Sequence, residues 1–167
     1  LSGSGTLTGT LTQSTNASGV ATFPGLVLTG TIGPRTLLFS SASIASDTTS
    51  AITLTPGTAT ALEYVQQPTT VVAGQVISPS PTVRVRDGAG NTVTTQSISP
   101  TTNTVTTATN TVTVALGANP GASTLGGTLS VAAVGGVATF STLSLNRAAA
   151  GYTLAASAAG LTGVTSS

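Results

Sequence analysis

The sequence contains no cysteine, no histidine and no lysine. Without cysteine the chain can form neither disulfides nor thiolate metal sites. Without histidine it lacks the usual general base, the Ser-His-Asp arrangement and the commonest metal ligand. Without lysine it has no Schiff-base chemistry, no Ser-Lys dyad and no Lys–Asn isopeptide cross-link. These absences exclude most familiar catalytic mechanisms.

Carboxylates are almost as scarce, since Asp47, Glu63 and Asp87 are the only three. A glycosidase needs two carboxyl groups roughly 5–10 Å apart in a cleft, and Asp47 and Glu63 lie on either side of a predicted linker. Calcium takes about six to eight oxygen ligands, and Asp87 has no acidic neighbour in sequence. We therefore predict that the chain is not an enzyme and binds no cofactor or metal.

Charge is nearly absent, with 4% charged residues and a net charge of +1. Four scattered arginines form no basic stripe, which argues against nucleic acid and anionic membranes as partners. No apolar run approaches the roughly 18 residues of a membrane span. No signal peptide opens the sequence at Leu1, and we expect the chain to start inside a domain.

The core must be aliphatic, because aromatic residues make up 3% of the chain and tryptophan and methionine are absent. The mean hydropathy of +0.41 favours an ordered chain over a disordered one. Most polar residues are Thr and Ser. They are typical of strand surfaces, and the alternative is a bed for O-linked sugars.

Short alternating segments predict β-strands. Thr82-Val83-Arg84-Val85-Arg86 places both valines on one face, and Gly, Pro and Asn clusters separate such segments. No segment shows helical spacing, so we predict an all-β antiparallel sandwich over residues 62–167. Its predicted core residues are Val83, Val85, Val112, Val114, Leu129, Val137, Phe140, Leu143 and Leu154.

The pentapeptide Gly-Val-Ala-Thr-Phe occurs twice, at residues 19–23 and 136–140, which are 117 positions apart. The match continues without gaps to Ser50 and Ser167, and upstream Gly9-Thr10-Leu11 matches Gly127-Thr128-Leu129 after one inserted residue. This order predicts a structural repeat. Phe23, Leu26, Leu28 and Leu37 should then occupy the core positions of Phe140, Leu143, Leu145 and Leu154.

The repeat predicts two domains. Residues 1–60 form the C-terminal part of one repeat, and residues 61–167 form a second repeat that lacks its last strand. We expect incomplete sandwiches to expose strand edges that pair with other copies or with adjacent repeats of the same chain. The candidate assembly edge consists of Ala51, Ile52, Thr53, Leu54, Leu161 and Val164.

The ordered motifs Gln67-Pro68, Ala73-Gly74, Val83 to Asn91, residues 111–116 and Gly136 to Phe140 resemble bacterial immunoglobulin-like repeats, which occur in tandem in very long surface proteins. The resemblance implies an immunoglobulin-like β-sandwich in an extended, extracellular or cell-surface chain. Residues 96–110 depart from the family pattern. They are interpreted as a longer loop or edge hairpin, or as a lateral contact made by Ile98 and Val105.

Two functions remain open. The first is a structural module of an extracellular fibre, stalk or filament, completed by strand exchange between subunits. The second is an adhesin-type module that binds carbohydrate or a protein receptor, although few aromatic rings are available for sugars. Asn16-Ala17-Ser18 fits the N-glycosylation pattern, either by chance or as a modified site at Asn16.

Overall fold

The computed structural model describes residues 1–94 and 110–167, and every regular element in this part of the chain is a β-strand. The chain divides into two compact units, Leu1–Pro56 and Gly57–Ser167. The first strand of the second unit already begins at Ala59, so the predicted boundary after residue 60 falls inside that strand.

The second unit is built from nine described strands. They are β7 (Ala59–Gln66), β8 (Thr82–Asp87), β9 (Thr111–Leu116), β10 (Leu125–Gly126), β11 (Ser130–Ala132), β12 (Val137–Thr139), β13 (Ser144–Leu145), β14 (Leu154–Ser157) and β15 (Val164–Thr165).

These strands form two main antiparallel sheets, with orders β12-β8-β7 and β11-β9-β14-β15, and a small β10-β13 pair. Both main sheets alternate buried and more exposed residues, as half-buried strands do. The buried residues of both sheets belong to one cluster, which includes Val83 and Val85 from one sheet and Val112 and Val114 from the other. The sheets therefore pack face to face as a β-sandwich.

Seven of the nine predicted core residues are buried, and the other two, Leu129 and Val137, are half-buried. In β12 it is Ala138 that faces the core, because it lies opposite the fully buried Val83. Val137 lies opposite Arg84 on the outer face. The prediction for Val137 is therefore wrong, because its neighbour Ala138 is the residue that faces the core. Leu129 packs against the edge of the core.

The first unit contains six strands: β1 (Thr6–Thr8), β2 (Val27–Thr29), β3 (Gly33–Arg35), β4 (Leu38–Ser41), β5 (Ile44–Thr48) and β6 (Ile52–Leu54). They form three separate two-stranded sheets, β1-β2, β3-β6 and β4-β5. Among residues 1–56, all of which are described, only Arg35 is buried. Phe23, Leu26, Leu28 and Leu37 are half-buried because no second sheet within this unit covers them.

The predicted insertion lies almost entirely outside the described residues. Ile98 and Val105 fall within residues 95–109, so their proposed lateral contact has no structural description here.

The difference in burial predicts different costs for equivalent substitutions. Phe140→Ala should destabilise the second unit by about 3–5 kcal/mol, because the ring is fully buried. Phe23→Ala, at a half-buried ring, should cost clearly less. Urea unfolding of both variants followed by circular dichroism measures the two costs, and equal costs would show that Phe23 has a core that this structure lacks.

Candidate assembly site

Three local arrangements recur in the two units at the spacing of the sequence repeat. In the first unit Leu7 pairs with Leu28 and Thr8 with Val27. In the second unit Leu125 pairs with Leu145 and Gly126 with Ser144. The residues of β10 follow those of β1 by 118 positions, and those of β13 follow those of β2 by 117. The one-residue difference is the insertion inferred from the sequence.

The second recurring arrangement is the pairing of β4 with β5 and of β14 with β15. Leu38 lies opposite Thr48 as Ala155 lies opposite Thr165. The hydrogen bonds recur as well. The Thr49 N–H donates to the Leu37 carbonyl at 2.9 Å, and the Leu37 N–H donates to Thr49 Oγ1 at 3.0 Å.

The equivalent bonds of the second unit join Ser166 and Leu154. The Ser166 N–H donates to the Leu154 carbonyl at 2.8 Å, and the Leu154 N–H donates to Ser166 Oγ at 2.9 Å. In each unit, therefore, the backbone N–H and the side-chain hydroxyl of one residue, Thr49 or Ser166, bond the backbone of Leu37 or Leu154.

The third recurring arrangement is a glycine that lies very close to the backbone carbonyl group of another residue. Gly9 and Gly127 have φ of +106° and +98°, and a Cβ at either would collide with the carbonyl oxygen of Gly25 or Thr142. Both positions therefore require glycine.

One pairing of the first unit has no counterpart among the described residues of the second. Strand β6 pairs with β3, with Gly33 opposite Leu54, Pro34 opposite Thr53 and Arg35 opposite Ile52. The repeat places residues 150–152 over β3, and none of these three residues belongs to a strand. Residues 150–152 thus form an edge outside the described strands, and the counterpart of β6 would fall at residues 169–171, after Ser167.

A groove of about 800 Å³ lies at this edge of the second unit. Residues 68–70 line one side, residues 147–152 line the other, and Ser167 lies at the groove. Its apolar lining consists of Val71, Ala73, Ile77, Leu145 and Leu154. Ile77, Leu145 and Leu154 are also buried, so the bottom of the groove is continuous with the sandwich core.

Both sides of the groove carry unpaired main chain. Within the described part of the chain, residues 69–71 and 150–152 make no backbone–backbone hydrogen bond and belong to no strand. Since exposed backbone groups are a template for strand pairing, the groove has the properties of a slot for an extended segment.

The residues predicted as the assembly edge lie in paired or core-packed segments of their own units, except for Ala51. Leu161 and Val164 are half-buried and pack against the core. Their segment is paired on both sides: Thr162 bridges Ala61 in parallel, and Val164 pairs with Ala156. Ala51 is exposed, and Ile52, Thr53 and Leu54 lie beside β3. Sequence reasoning missed residues 69–71 and 150–152, although the repeat offset pointed to the second of these.

Asp87 is buried and accepts four N–H groups. Its Oδ1 accepts the backbone N–H of Ala89 at 2.9 Å and of Asn91 at 2.8 Å. Its Oδ2 accepts the Gly57 N–H at 2.8 Å and the Asn91 side chain at 2.9 Å. Burial opposes ionisation, but these hydrogen bonds outweigh it and lower the pKa of Asp87. The carboxylate thus stabilises the turn at residues 87–91 and holds Gly57, the first residue of the unit, by a hydrogen bond.

Three charged residues, Glu63, Arg84 and Arg86, lie on the outer face of the three-stranded sheet. Glu63 accepts a hydrogen bond from Arg84 Nη2 at 2.9 Å and lies 3.4 Å from Arg86 Nε. The side chains are partly exposed, so this cluster adds little to stability. Among the described residues, no three His, Cys, Asp or Glu side chains are grouped as metal ligands.

Aromatic rings are mostly used inside the fold. Tyr64 is buried, its hydroxyl donates to the Leu154 carbonyl at 3.2 Å, and desolvation raises its pKa to about 12. The Tyr152 hydroxyl donates to the Arg147 carbonyl at 3.0 Å. Phe39 is 38% exposed and packs on Phe23 with ring centroids 5.3 Å apart. Within the described units, the only ring-to-ring contact is this pair of phenylalanines.

Asn16 lies at an exposed turn of the first unit. Its Oδ1 accepts the N–H groups of Ser18 and Val20 at 2.9 and 3.0 Å, so the side chain shapes its own turn. In the part of the chain that is described, no helix has the length and apolar character needed to cross a membrane.

No protein-family model, curated protein or solved structure matches this chain.

The hydrogen bonds of Asp87 predict an acid-dependent loss of stability. Because the folded-state pKa lies below the ordinary value of 3.8, the stabilisation is present above that value and is lost as the pH falls through the folded pKa. Asp87→Asn should cost about 1–3 kcal/mol at neutral pH and weaken the acid dependence. Urea unfolding at several pH values measures both effects. The exposed Asp47→Asn is the matched control, and equal effects at both sites would refute the assignment.

Burial of Tyr64 predicts a loss of stability in alkali. Its pKa is about 12 in the folded protein and 10.0 ordinarily, so the folded state retains the proton between these values. Stability should be complete below the lower value and fall as the pH rises toward the upper one. Tyr64→Phe should reduce this slope, as measured by thermal unfolding in alkaline buffers. An unchanged slope would mean that another group controls it.

Proposed function

We propose that the chain is a non-catalytic structural module of an extracellular or cell-surface fibre, stalk or filament built from tandem immunoglobulin-like repeats. The observation that carries the proposal is the recurrence of the same pairings at spacings of 117 and 118 residues, from Leu7 with Leu28 to Ala155 with Thr165. Two unrelated folds would not share register, hydroxyl bonds and glycine positions together.

The strand order of the second unit supports the immunoglobulin-like assignment. Its sheets β12-β8-β7 and β11-β9-β14-β15 follow the arrangement in which the first, second and fifth strands face the third, sixth and seventh. The fourth strand, β11, pairs with the third, β9, and the short strands β10 and β13 occupy the connections. The antiparallel sandwich and the ordered sequence motifs agree on this interpretation.

The first unit supports repetition along the chain. Its strands correspond to the C-terminal half of the second unit, and its apolar face is half-buried at Phe23, Leu26, Leu28 and Leu37. The equivalent residues of the second unit are buried because β7, β8 and β9 cover them. Two units that share one pattern along the chain suit a linear assembly of repeated units.

A structural role also agrees with the chemistry of the surface. The buried charges are Arg35 and Asp87, and each is bonded within its own unit. Arg35 donates to the carbonyls of Ser4, Pro34 and Thr31 at 3.2, 2.8 and 2.7 Å. These groups stabilise turns and do not face the groove. The other five charged residues lie among many Thr and Ser, which suits a passive module.

Immuno-electron microscopy of cells that produce the protein tests this function. Antibodies raised against the purified chain should label extended structures on intact, unpermeabilised cells. Permeabilised cells serve as the matched control for internal antigen. Labelling that appears only after permeabilisation would exclude an extracellular fibre.

A further inference from the structure

We propose that the loop at residues 146–151 of the second unit is a proteolytic processing site, at which an Arg-specific serine protease hydrolyses the Arg147–Ala148 peptide bond. Water adds across this bond, which leaves a carboxylate on Arg147 and an amino group on Ala148. Such processing is an addition to the proposed structural role and is independent of it.

The chain offers very few residues to proteases of trypsin-like specificity, which bind a basic side chain in a pocket beside the catalytic serine. It contains no lysine, and its four arginines are Arg35, Arg84, Arg86 and Arg147. All four lie in the described part of the chain, so the surroundings of each side chain and its main chain are known.

Three of these arginines are protected by the fold. Arg84 and Arg86 lie in β8, the central strand between β7 and β12. Arg35 is buried, and its guanidinium donates to three main-chain carbonyls. Because a protease binds its substrate as an extended segment through main-chain hydrogen bonds, these three positions are inaccessible in the folded protein.

Arg147 lies in a different environment. It belongs to six consecutive exposed residues, 146–151, in the connection between β13 and β14. Within the described residues, only its main-chain N–H and carbonyl are bonded, and residues 148–151 make no hydrogen bond. Exposed loops of small residues are preferred sites of proteolytic cleavage, so the main chain after Arg147 is open to a protease.

The first unit shows that this exposure does not depend on what lies in the adjacent groove. At the repeat offset of 117, Thr31 and Ile32 are the equivalents of Ala148 and Ala149. Both are exposed, although β6 pairs with β3 directly after them. We therefore expect the loop to stay accessible when a strand lies beside residues 150–152.

Tyr152 limits access to the bond that is cleaved. Its hydroxyl donates to the Arg147 carbonyl oxygen at 3.0 Å. A serine protease binds that same oxygen with the N–H groups of its oxyanion hole. The Tyr152 hydrogen bond must therefore break before cleavage, so the hydroxyl slows hydrolysis without preventing it.

Cleavage leaves the sandwich assembled. The fragment of residues 148–167 carries β14 and β15, and β14 pairs with β9 over four residues. Leu154 and Ala156 are buried in the core, and the Tyr64 hydroxyl donates to the Leu154 carbonyl. The fragment therefore stays bound to residues 1–147. Because the processed protein unfolds into two pieces, its stability depends on protein concentration.

Limited digestion of the whole chain with trypsin tests the processing site. A denaturing gel should show two fragments, which mass spectrometry identifies as residues 1–147 and 148–167, and size-exclusion chromatography should elute them together. Arg147→Gln should remain uncut under the same conditions. The matched control, Arg84→Gln, should be cut at Arg147 as the natural chain is.

Tyr152→Phe tests the local mechanism. Removing the hydroxyl should raise the initial cleavage rate about fivefold, the effect of one ordinary net hydrogen bond, while urea unfolding shows an unchanged global stability. A faster cut that only follows a loss of global stability would show that cleavage requires unfolding and would overturn the proposal.

The other outcomes are equally decisive. A first cut after another arginine, cleavage of Arg147→Gln, or no cut at all would overturn the processing site. An unchanged rate in Tyr152→Phe would overturn the role of its hydroxyl, and separate elution of the two fragments would overturn the intact processed sandwich. None of these outcomes affects the proposed function, because surface labelling of cells is measured independently.

Discussion

Backbone pairing between short strands is the interaction on which this molecule depends. The chain has no disulfides, few charges and few aromatic rings, so little besides main-chain hydrogen bonds and aliphatic burial can hold its elements. In the second unit the two contributions coincide, because paired strands also place Val83, Val85, Val112 and Val114 between the sheets. In the first unit pairing is present without deep burial. The two units therefore share local strand geometry, whereas the second unit alone forms a buried apolar core.

Because the fold depends on strand pairing, its unpaired strand edges are the parts of the surface best suited to bind another strand. The surface is rich in Thr and Ser and carries few charged residues. An edge with free N–H and C=O groups beside an apolar groove offers directional bonds and burial together. The groove bounded by residues 69–71 and 150–152 is such a place. Its apolar bottom and its main-chain groups without backbone bonds are features that an extended peptide can use.

The sequence predicted the all-β sandwich and most of its core, because period-two alternation directly encodes which side chains are buried. It failed at Val137, where a small residue, Ala138, faces the core and the larger neighbour points outward. The pairings of Leu7 with Leu28 and of Leu125 with Leu145 have the same offsets of 118 and 117 as the sequence match. Alternation did not reveal the edge at residues 150–152, because Ala150 and Gly151 have too little side chain to show which face of a strand is buried. The edge became evident only by comparison with β3 of the first unit.

The most direct test of this account is a cryo-electron microscopy map of the assembled protein. Two-sheet sandwich units should repeat along a fibre, with Phe140, Leu143 and Leu154 buried between the sheets. A protein that forms no fibre, or a fibre without repeated sandwiches, would contradict this.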